Sequence, residues 1–349
     1  MKILFFIHGL YGGGAEHVAS ILLNHFCEKH DTYVAVTNFV APFYPLDKRV
    51  HMIDDRVKIK GSRFIPRFVK MALTIKNNKP DIIISFMTRA NNNSLFANLL
   101  CRRKIIVSER NTLNFEKSKT QRIFRNVLYP FADRIVFVTS EDYHKINLPQ
   151  KSLLIYNPAM FKPFADYNNR QKTIVTIAPD KRWHQKGLDI LIQAWDQISP
   201  QNPDWNLEIY GRIYGVPLPE SITRQKQNRV FWKGWTDNVN EMLQTKSIFI
   251  LASRSEGCPN SLIEAMSQGC ACIVTDGEGD QKVMVNDGVD GVIAKNENVD
   301  DIALKIQMLI NNEALRRRLS SGAIEKAKLF DKNTFFAKWD KLIEEVARK

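Results

Sequence analysis

The chain is 349 residues long, 44% hydrophobic and 25% charged, with a formal net charge of +13. That length holds two domains with cores of their own, and the composition is that of a folded globular protein. No run approaches ~18 consecutive apolar residues, which argues against a membrane-spanning helix. The five cysteines (Cys27, Cys101, Cys258, Cys270, Cys272) form no C-x-x-C pair, which argues against a zinc site and for reduced thiols in a cytoplasmic protein.

Lys2 to His8 is an apolar run of strand type, and the GGGAEH that follows lacks the small-residue cleavage pattern of a signal peptide. Next comes a loop holding Gly12, Gly13 and Gly14, then helical periodicity from Ala15 to Phe26. Strand, glycine loop and helix open a Rossmann-like unit whose helix start is available to anions. It is neither a dinucleotide fingerprint, because His17 stands where the third glycine is required, nor a P-loop, because no G-K-[ST] follows.

The positive charge is one-sided: residues 1–160 carry 24 Lys and Arg against 12 Asp and Glu. Arg56 to Lys79 holds eight basic residues and no acid, with Phe64, Ile65, Phe68, Met71, Ala72 and Ile75 at near-helical spacing. This predicts a basic amphipathic helix, suited either to an anionic membrane surface or ligand, or to packing on a sheet with a solvated outer face. No helix-turn-helix, zinc-finger or aromatic RNA-reading motif accompanies the charge, so no nucleic-acid partner is expected. Strands are predicted at Thr32–Thr37, Asp81–Phe86, Lys104–Ser108, Ile135–Thr139 and Leu153–Ile155, with a helix over Asn92–Leu100. This alternation makes the first half α/β with a mostly parallel sheet. Met160 to Lys172 is polar and turn-rich enough to be a linker.

The second half repeats the alternation. Strands are expected at Thr173–Ile177, Leu207–Tyr210 and Asn228–Trp232, with helices over Leu188–Trp195 and Asn238–Gln244. Lys246 precedes a further strand and reads as a solvated edge residue. Ser247 to Ala252 and Ala271 to Val274 read as buried strands around SEGCPNSLIEAMSQG, where Asn260 or Ser261 can cap a helix with Leu262, Ile263, Ala265 and Met266 on its apolar face. Glu256 leaves the first strand and Glu264 follows eight residues later on the helix. Both point to the crevice beyond the strand ends where open α/β sheets bind ligands, and as hydroxyl acceptors they suit a sugar or ribose. Asp276, Asp280 and Asp287 do not reproduce a calcium-loop spacing, so no metal site is assigned. Gln281 to Asn286 reads as a short helix, and Ile302–Leu309, Leu315–Phe330 and Lys332–Val346 as the last three.

EGCPNSLIEAMSQGCACIVT resembles, at nearly every position, the E-x7-E signature of retaining, nucleotide-sugar-dependent glycosyltransferases of GT-B architecture. The family is the large bacterial family 4, glycosyl transferases group 1, and within it the bacterial glycan-assembly subgroup. The similarity spans almost the full chain and is strongest from Ile174 to Phe330. It implies an α/β fold of two Rossmann-like domains facing across a cleft. Residues 1–160 would form the acceptor-side domain, with helix 332–346 packing back on it, and residues 173–330 the nucleotide-sugar-binding domain.

The same resemblance implies the site. Glu256 would hold donor-sugar hydroxyls, and Glu264 the ribose or another donor hydroxyl. Relatives commonly carry G-R-L-x-x-x-K-G where this chain has Asp180 to Gly187; Lys186 and Gly187 are kept, Asp180 stands for the glycine and Lys181 for the arginine. Lys186 with Lys181, Arg182 or both would then stabilise charge on the departing nucleotide. Gly12, Gly13, Gly14 and Glu16 match a G-G-x-E segment near the donor diphosphate or the acceptor. Gly211, Gly234, Pro259, Asn260, Ser261 and Leu262 complete the donor-side set. Where many relatives place a histidine this chain has Ser108-Glu-Arg-Asn111, so Arg110 and Asn111 become acceptor or donor-sugar contacts. His8 is either another cleft residue or a buried, hydrogen-bonded histidine.

The implied activity is retaining, metal-independent transfer of a hexose or N-acetylhexosamine from a nucleotide diphosphate sugar, UDP favoured, to a lipid-linked saccharide. It needs no cofactor, and it places the protein in the cytoplasm or peripherally on the inner face of the cytoplasmic membrane, with the anionic membrane surface as a partner. A same-fold nucleotide-sugar epimerase or glycan phosphorylase, and a non-catalytic partner subunit, are the alternatives.

Overall fold

The computed structural model describes residues 1–56, 67–219, 222 and 228–348, and the chain divides into two compact units, Met1–Asn157 with Asn333–Lys349, and Pro158–Lys332. The first unit runs β1 (Lys2–Ile7), α1 (Gly14–Phe26), β2 (Asp31–Val36), β3 (His51–Asp54), α2 (Arg67–Asn78), β4 (Ile82–Phe86) and α3 (Thr88–Asn98). It continues through β5 (Lys104–Ser108), α4 (Lys119–Leu128), β6 (Arg134–Phe137), α5 (Ser140–Lys145) and β7 (Ser152–Leu154). The second unit opens with β8 (Gln171–Ile177), α6 (Leu188–Ile198), β9 (Asn206–Tyr210), β10 (Val230–Gly234), α7 (Val239–Gln244) and β11 (Lys246–Leu251). It closes with α8 (Asn260–Ser267), β12 (Ala271–Thr275), β13 (Val292–Ala294), α9 (Val299–Asn311) and α10 (Glu313–Ala327), after which α11 (Lys332–Arg348) returns to the first unit.

Each unit is built on a wholly parallel sheet, ordered β3-β2-β1-β4-β5-β6-β7 in the first and β10-β9-β8-β11-β12-β13 in the second. In both, strand order reverses beside the unit's opening strand, at β1/β4 and at β8/β11. Such a switch point is where loops diverge and leave a crevice beyond the strand ends. The α/β class expected from the alternating pattern is therefore the observed one.

Burial on both faces explains the near-continuous apolar runs of these strands. Along β1, Ile3, Phe5 and Ile7 face a core shared with α1 and with Phe335, Trp339, Leu342, Ile343 and Val346 of α11. Leu4 and Phe6 alternate to the opposite core, which contains Met71 and Ile75 of α2, Leu95 of α3 and Leu128 of α4. In the second unit Trp195 of α6 is fully buried with strand residues Ile174, Leu207 and Ile250.

Several expectations need correction. Lys246 is not a solvated edge residue: it begins the central strand β11, is 5% exposed, and ion-pairs with Glu208 at 2.8 Å while donating to Gln171 Oε1 at 2.6 Å. Neither Asn260 nor Ser261 caps its helix; α8 starts at Asn260 with Pro259 in the capping position and no side-chain cap, and the Pro259 carbonyl accepts from Leu262 at 3.1 Å. The helix expected at Gln281–Asn286 is a single 3-10 turn, Asp280–Lys282. The basic helix predicted over 56–79 is seen as α2 from Arg67; its segment 57–66 lies outside the described residues. Among the described residues no helix is long and apolar enough to cross a membrane.

Candidate active site

The β8/β11 switch point brings together two of the residues expected from sequence, Lys186 and Glu256. Beyond β8 the chain makes a 3-10 turn at Asp180–Arg182 and reaches Gly187, whose φ of +61° is left-handed. A Cβ at Gly187 would lie 2.0 Å from the Ala252 carbonyl oxygen at the end of β11, so only glycine lets the two loops approach. That approach brings Lys186 Nζ to 2.6 Å from Glu256 Oε1, with Ser253 Oγ donating to the same oxygen at 2.7 Å. The two side chains are only 12% and 10% exposed, so their attraction is weakly screened. Among the described residues no hydrogen bond reaches Glu256 Oε2.

Further contacts fasten the loops together. The Arg254 amide donates to Gln185 O at 2.9 Å and Gln185 Nε2 donates to Ser255 O at 3.1 Å. The Arg254 guanidinium forms a bidentate pair with Asp189 of α6, 2.9 Å for both bonds, and a third contact with Glu297 at 2.5 Å. Two parallel bonds fix direction as well as distance, so Arg254 sets the height of the Glu256 loop over α6. A Gly187→Ala protein is expected to lose roughly 2–4 kcal/mol of stability, because the side chain meets unyielding backbone in a strained conformation. An unchanged denaturant midpoint would refute this steric argument.

Glu264 lies one turn into α8 and is only partly exposed. Among the described residues no hydrogen bond supports its carboxylate, and burial pushes its pKa up to about 8. A carboxyl held in that condition is ready for hydroxyl partners that the protein does not supply. Pro259 precedes the same helix, and Asn260, Ser261 and Leu262 form its first turn, the positive end of its dipole.

The departure at Asp180 has a structural reason. Its buried carboxylate accepts from the Tyr214 amide at 2.7 Å and the Gly215 amide at 2.8 Å, shaping the loop after β9. Lys181 sits over the Tyr214 ring, 4.0 Å from its centroid. Arg182 is exposed and has no ion pair among the described residues. Gly211 takes φ +150° and donates its amide to Gly234 O at 2.9 Å, which joins the ends of β9 and β10.

In the first unit, Gly12 and Gly13 precede α1, Gly14 begins it, and Glu16 lies in its first turn. His8, at the end of β1, is exposed and shares a 2.9 Å hydrogen bond through Nδ1 with Thr37 Oγ1. Partial burial, and after it the charges of Arg67 and Arg89, hold its pKa below the ordinary histidine value. Arg110 is buried: its guanidinium bonds the Asn157 side chain and Ser108 and lies over the Phe86 ring at 5.1 Å. Asn111 remains half-buried beside it. Glu109, not singled out from sequence, is buried with Thr88 at 2.9 Å and the Tyr129 hydroxyl as donors to it, and burial raises its pKa.

Residues 162–326 match the family model of glycosyl transferases group 1. That segment is a glycosyl transferases group 1 domain. The glycosyltransferase is 25% identical over 356 residues, covering 99% of both chains, to the GalNAc-alpha-(1->4)-GalNAc-alpha-(1->3)-diNAcBac-PP-undecaprenol alpha-1,4-N-acetyl-D-galactosaminyltransferase of Campylobacter jejuni. It is 24% identical to that organism's N-acetylgalactosamine-N,N'-diacetylbacillosaminyl-diphospho-undecaprenol 4-alpha-N-acetylgalactosaminyltransferase, covering 95% of this chain and 96% of the other. Its fold is similar to that of Anabaena Alr3699/HepE, solved in complex with UDP, at a TM-score of 0.82 and 19% identity, covering 99% of this chain and 100% of that one. The two-sheet fold of this glycosyltransferase is thus GT-B.

Sequence reading overlooked the residues that fasten this glycosyltransferase's loops, Arg254 with Asp189 and Ser253 with Glu256. Sixty-five positions separate the first pair, and no spacing rule links them. Adjacency of Ser253 and Arg254 to Glu256 was the available signal.

Proposed function

We propose that this glycosyltransferase moves a hexose or N-acetylhexosamine from a nucleotide diphosphate sugar, UDP favoured, to a lipid-linked saccharide in bacterial glycan assembly, with retention at the anomeric carbon and without a metal. The observation that carries the reading is the Lys186–Glu256 pair at the β8/β11 switch point, with Glu264, whose carboxylate has no hydrogen bond among the described residues, on the next helix. The two Campylobacter relatives are named for undecaprenol-linked acceptors, which supports the acceptor class. The UDP complex of the similarly folded protein supports the donor class.

In this reading residues 158–332 hold the donor and residues 1–157 take the acceptor. Lys186 turns part of its charge from Glu256 to the diphosphate, assisted by Arg182 and by Lys181 if it leaves the Tyr214 ring. The first amides of α8, at Asn260 and Ser261, add positive potential. Glu256 receives a donor-sugar hydroxyl at Oε2, and Glu264 receives ribose hydroxyls. Gly211 and Gly234 let the nucleotide approach backbone, and Gly12, Gly13, Gly14 and Glu16 line the donor side of the first unit. Asn111 and His8 contact sugar, whereas Arg110, occupied by Asn157 and Ser108, acts as a positioning residue.

During transfer the bond from C1 to the β-phosphate oxygen breaks, its electron pair leaving with the nucleotide diphosphate. The acceptor hydroxyl oxygen bonds C1 on the same face and its proton passes to the departing phosphate oxygen. No protein nucleophile is needed, and protein cations supply the charge compensation that a metal provides elsewhere. The test is a panel of UDP-, GDP- and ADP-sugars with and without an undecaprenyl-diphosphate-linked oligosaccharide. Nucleotide release and an α-linked product from an α-linked donor, dependent on both substrates and unaffected by EDTA, is the expected result. Epimerised donor without acceptor, or a requirement for inorganic phosphate, would overturn it.

A further inference from the structure

The helices α2, α3 and α4, which cover one face of the first sheet, together contain seven Lys and Arg and no Asp or Glu. Their outer surface is also apolar. On α4, Ile123 is 60% exposed and Val127 58%, with Phe124 between them and Phe131 just beyond the helix end. These follow one another at helical spacing, while the inward side of the same helix buries Arg125, which donates to the Leu113 carbonyl at 2.8 Å. The amphipathicity of α4 is thus partly inverted, with charge inside and hydrocarbon outside.

At the end of that stripe lies a cavity of about 430 Å³, lined among others by Leu99, Phe131, Arg102, Arg103, Lys104 and Asp133. Its one carboxylate is engaged: Asp133 pairs with Lys104 at 3.6 Å and accepts from the Ile105 amide at 2.8 Å. The guanidinium groups of Arg102 and Arg103 make no hydrogen bond or ion pair among the described residues, nor do the side chains of Lys119 and Arg122. A row of hydrocarbon flanked by unpaired cations and ending in a cationic pocket complements a surface that is apolar beneath an anionic layer.

We propose that the α3/α4 face docks on an anionic phospholipid bilayer, with Ile123, Phe124, Val127 and Phe131 at the acyl boundary and a lipid phosphate seated between Arg102 and Arg103. A second copy of this chain is a poor occupant, because two such faces would oppose like charges. The inference rests on the lipid-linked acceptor reading only for why the enzyme visits a membrane; the surface chemistry stands by itself. Helices in a parallel α/β unit run back from the C-terminal strand ends, so α4 carries its apolar stripe from the loop side of the sheet to the cationic pocket at the opposite edge.

Sedimentation with vesicles of phosphatidylglycerol and phosphatidylcholine, against phosphatidylcholine alone, tests this. Wild type is expected to bind the anionic vesicles and to release as salt rises. The pairs Ile123→Asp with Val127→Asp, and Arg102→Gln with Arg103→Gln, should each raise half-saturating lipid about tenfold or more. Leu304→Asp with Met308→Asp, an equal loss of exposed hydrocarbon on α9, should change it less than about twofold. All three should keep the wild-type melting temperature and transfer to a water-soluble acceptor. Equal wild-type recovery with both vesicle types, or unaltered lipid binding by the first two pairs, would overturn the proposal. So would a change in self-association, read by sedimentation velocity, at unchanged lipid affinity. Sugar transfer without vesicle binding would overturn this inference alone, whereas vesicle binding without transfer would support it and count against the enzymatic reading.

Discussion

Replacing Lys186 by alanine is expected to lower kcat/KM for sugar transfer by about 10²–10³, the range seen when one preorganised group facing developing charge is removed. Two losses combine. In the proposed mechanism the departing diphosphate loses a cation, and Glu256, only 10% exposed and held at 2.6 Å by Lys186, is left as a poorly compensated carboxylate. Glu256→Gln should lower turnover by a similar factor while leaving nucleotide diphosphate affinity nearly unchanged, since amide and carboxylate both accept a hydroxyl but only the latter anchors the ammonium. Because the groups touch, the double variant should lose clearly less than the product of the two single effects. Undiminished donor affinity and rate in Lys186→Ala would remove the lysine from the mechanism, and fully multiplicative losses would show that the pair does not act as a unit.

Glu264→Gln is expected to stabilise the second unit increasingly as pH rises from about 4.5 to about 8. The sign follows from the raised pKa: the folded state keeps the Glu264 proton after the unfolded chain has lost it, so wild-type stability falls through this window and levels above about 8. The full shift corresponds to ~5 kcal/mol at 1.36 kcal/mol per unit, and residual solvent contact reduces the expected gain at pH 8.5 to roughly 2 kcal/mol. Denaturant midpoints of both proteins at pH 4.5 and 8.5 measure it. A difference that does not grow with pH would show that Glu264 ionises normally. If ribose hydroxyls are its partners, the same substitution should also weaken UDP binding at pH 8.5, where the carboxylate would otherwise accept them.

What the sequence disclosed depended on range. Strand runs buried on both faces, such as Ile82 to Phe86 and Lys104 to Ser108, announced themselves because parallel sheets demand continuous hydrocarbon. Glycine signals did as well: Gly187 is required by a left-handed φ and a backbone only 2.0 Å from its absent Cβ. Helix α4 was hidden by the inversion that exposes Ile123, Phe124 and Val127 and buries Arg125, so an apolar-inward rule misreads it. Lys246 misled for the complementary reason, since its partner Glu208 comes from a different strand, β9. In the candidate site, Glu256 and Glu264 were visible as acids beyond a strand end and Lys186 only through the resemblance to the family's K-G segment, whereas the Arg254–Asp189 fastening joins distant stretches. Asp180 was legible as an oddity but not as the acceptor for the amides of Tyr214 and Gly215.

The chain order of α11 has a consequence for biosynthesis. Phe335, Trp339, Leu342, Ile343 and Val346 complete a core begun by Ile3, Phe5 and Ile7, yet they are translated only after the whole of the second unit. The second unit is contiguous and is free to mature during translation, while the earlier-made unit waits with one hydrophobic flank uncovered. Packing of the nascent first unit therefore waits until the second has been made, and a stop codon in place of Lys332 would leave that flank bare while sparing nearly all of the second unit.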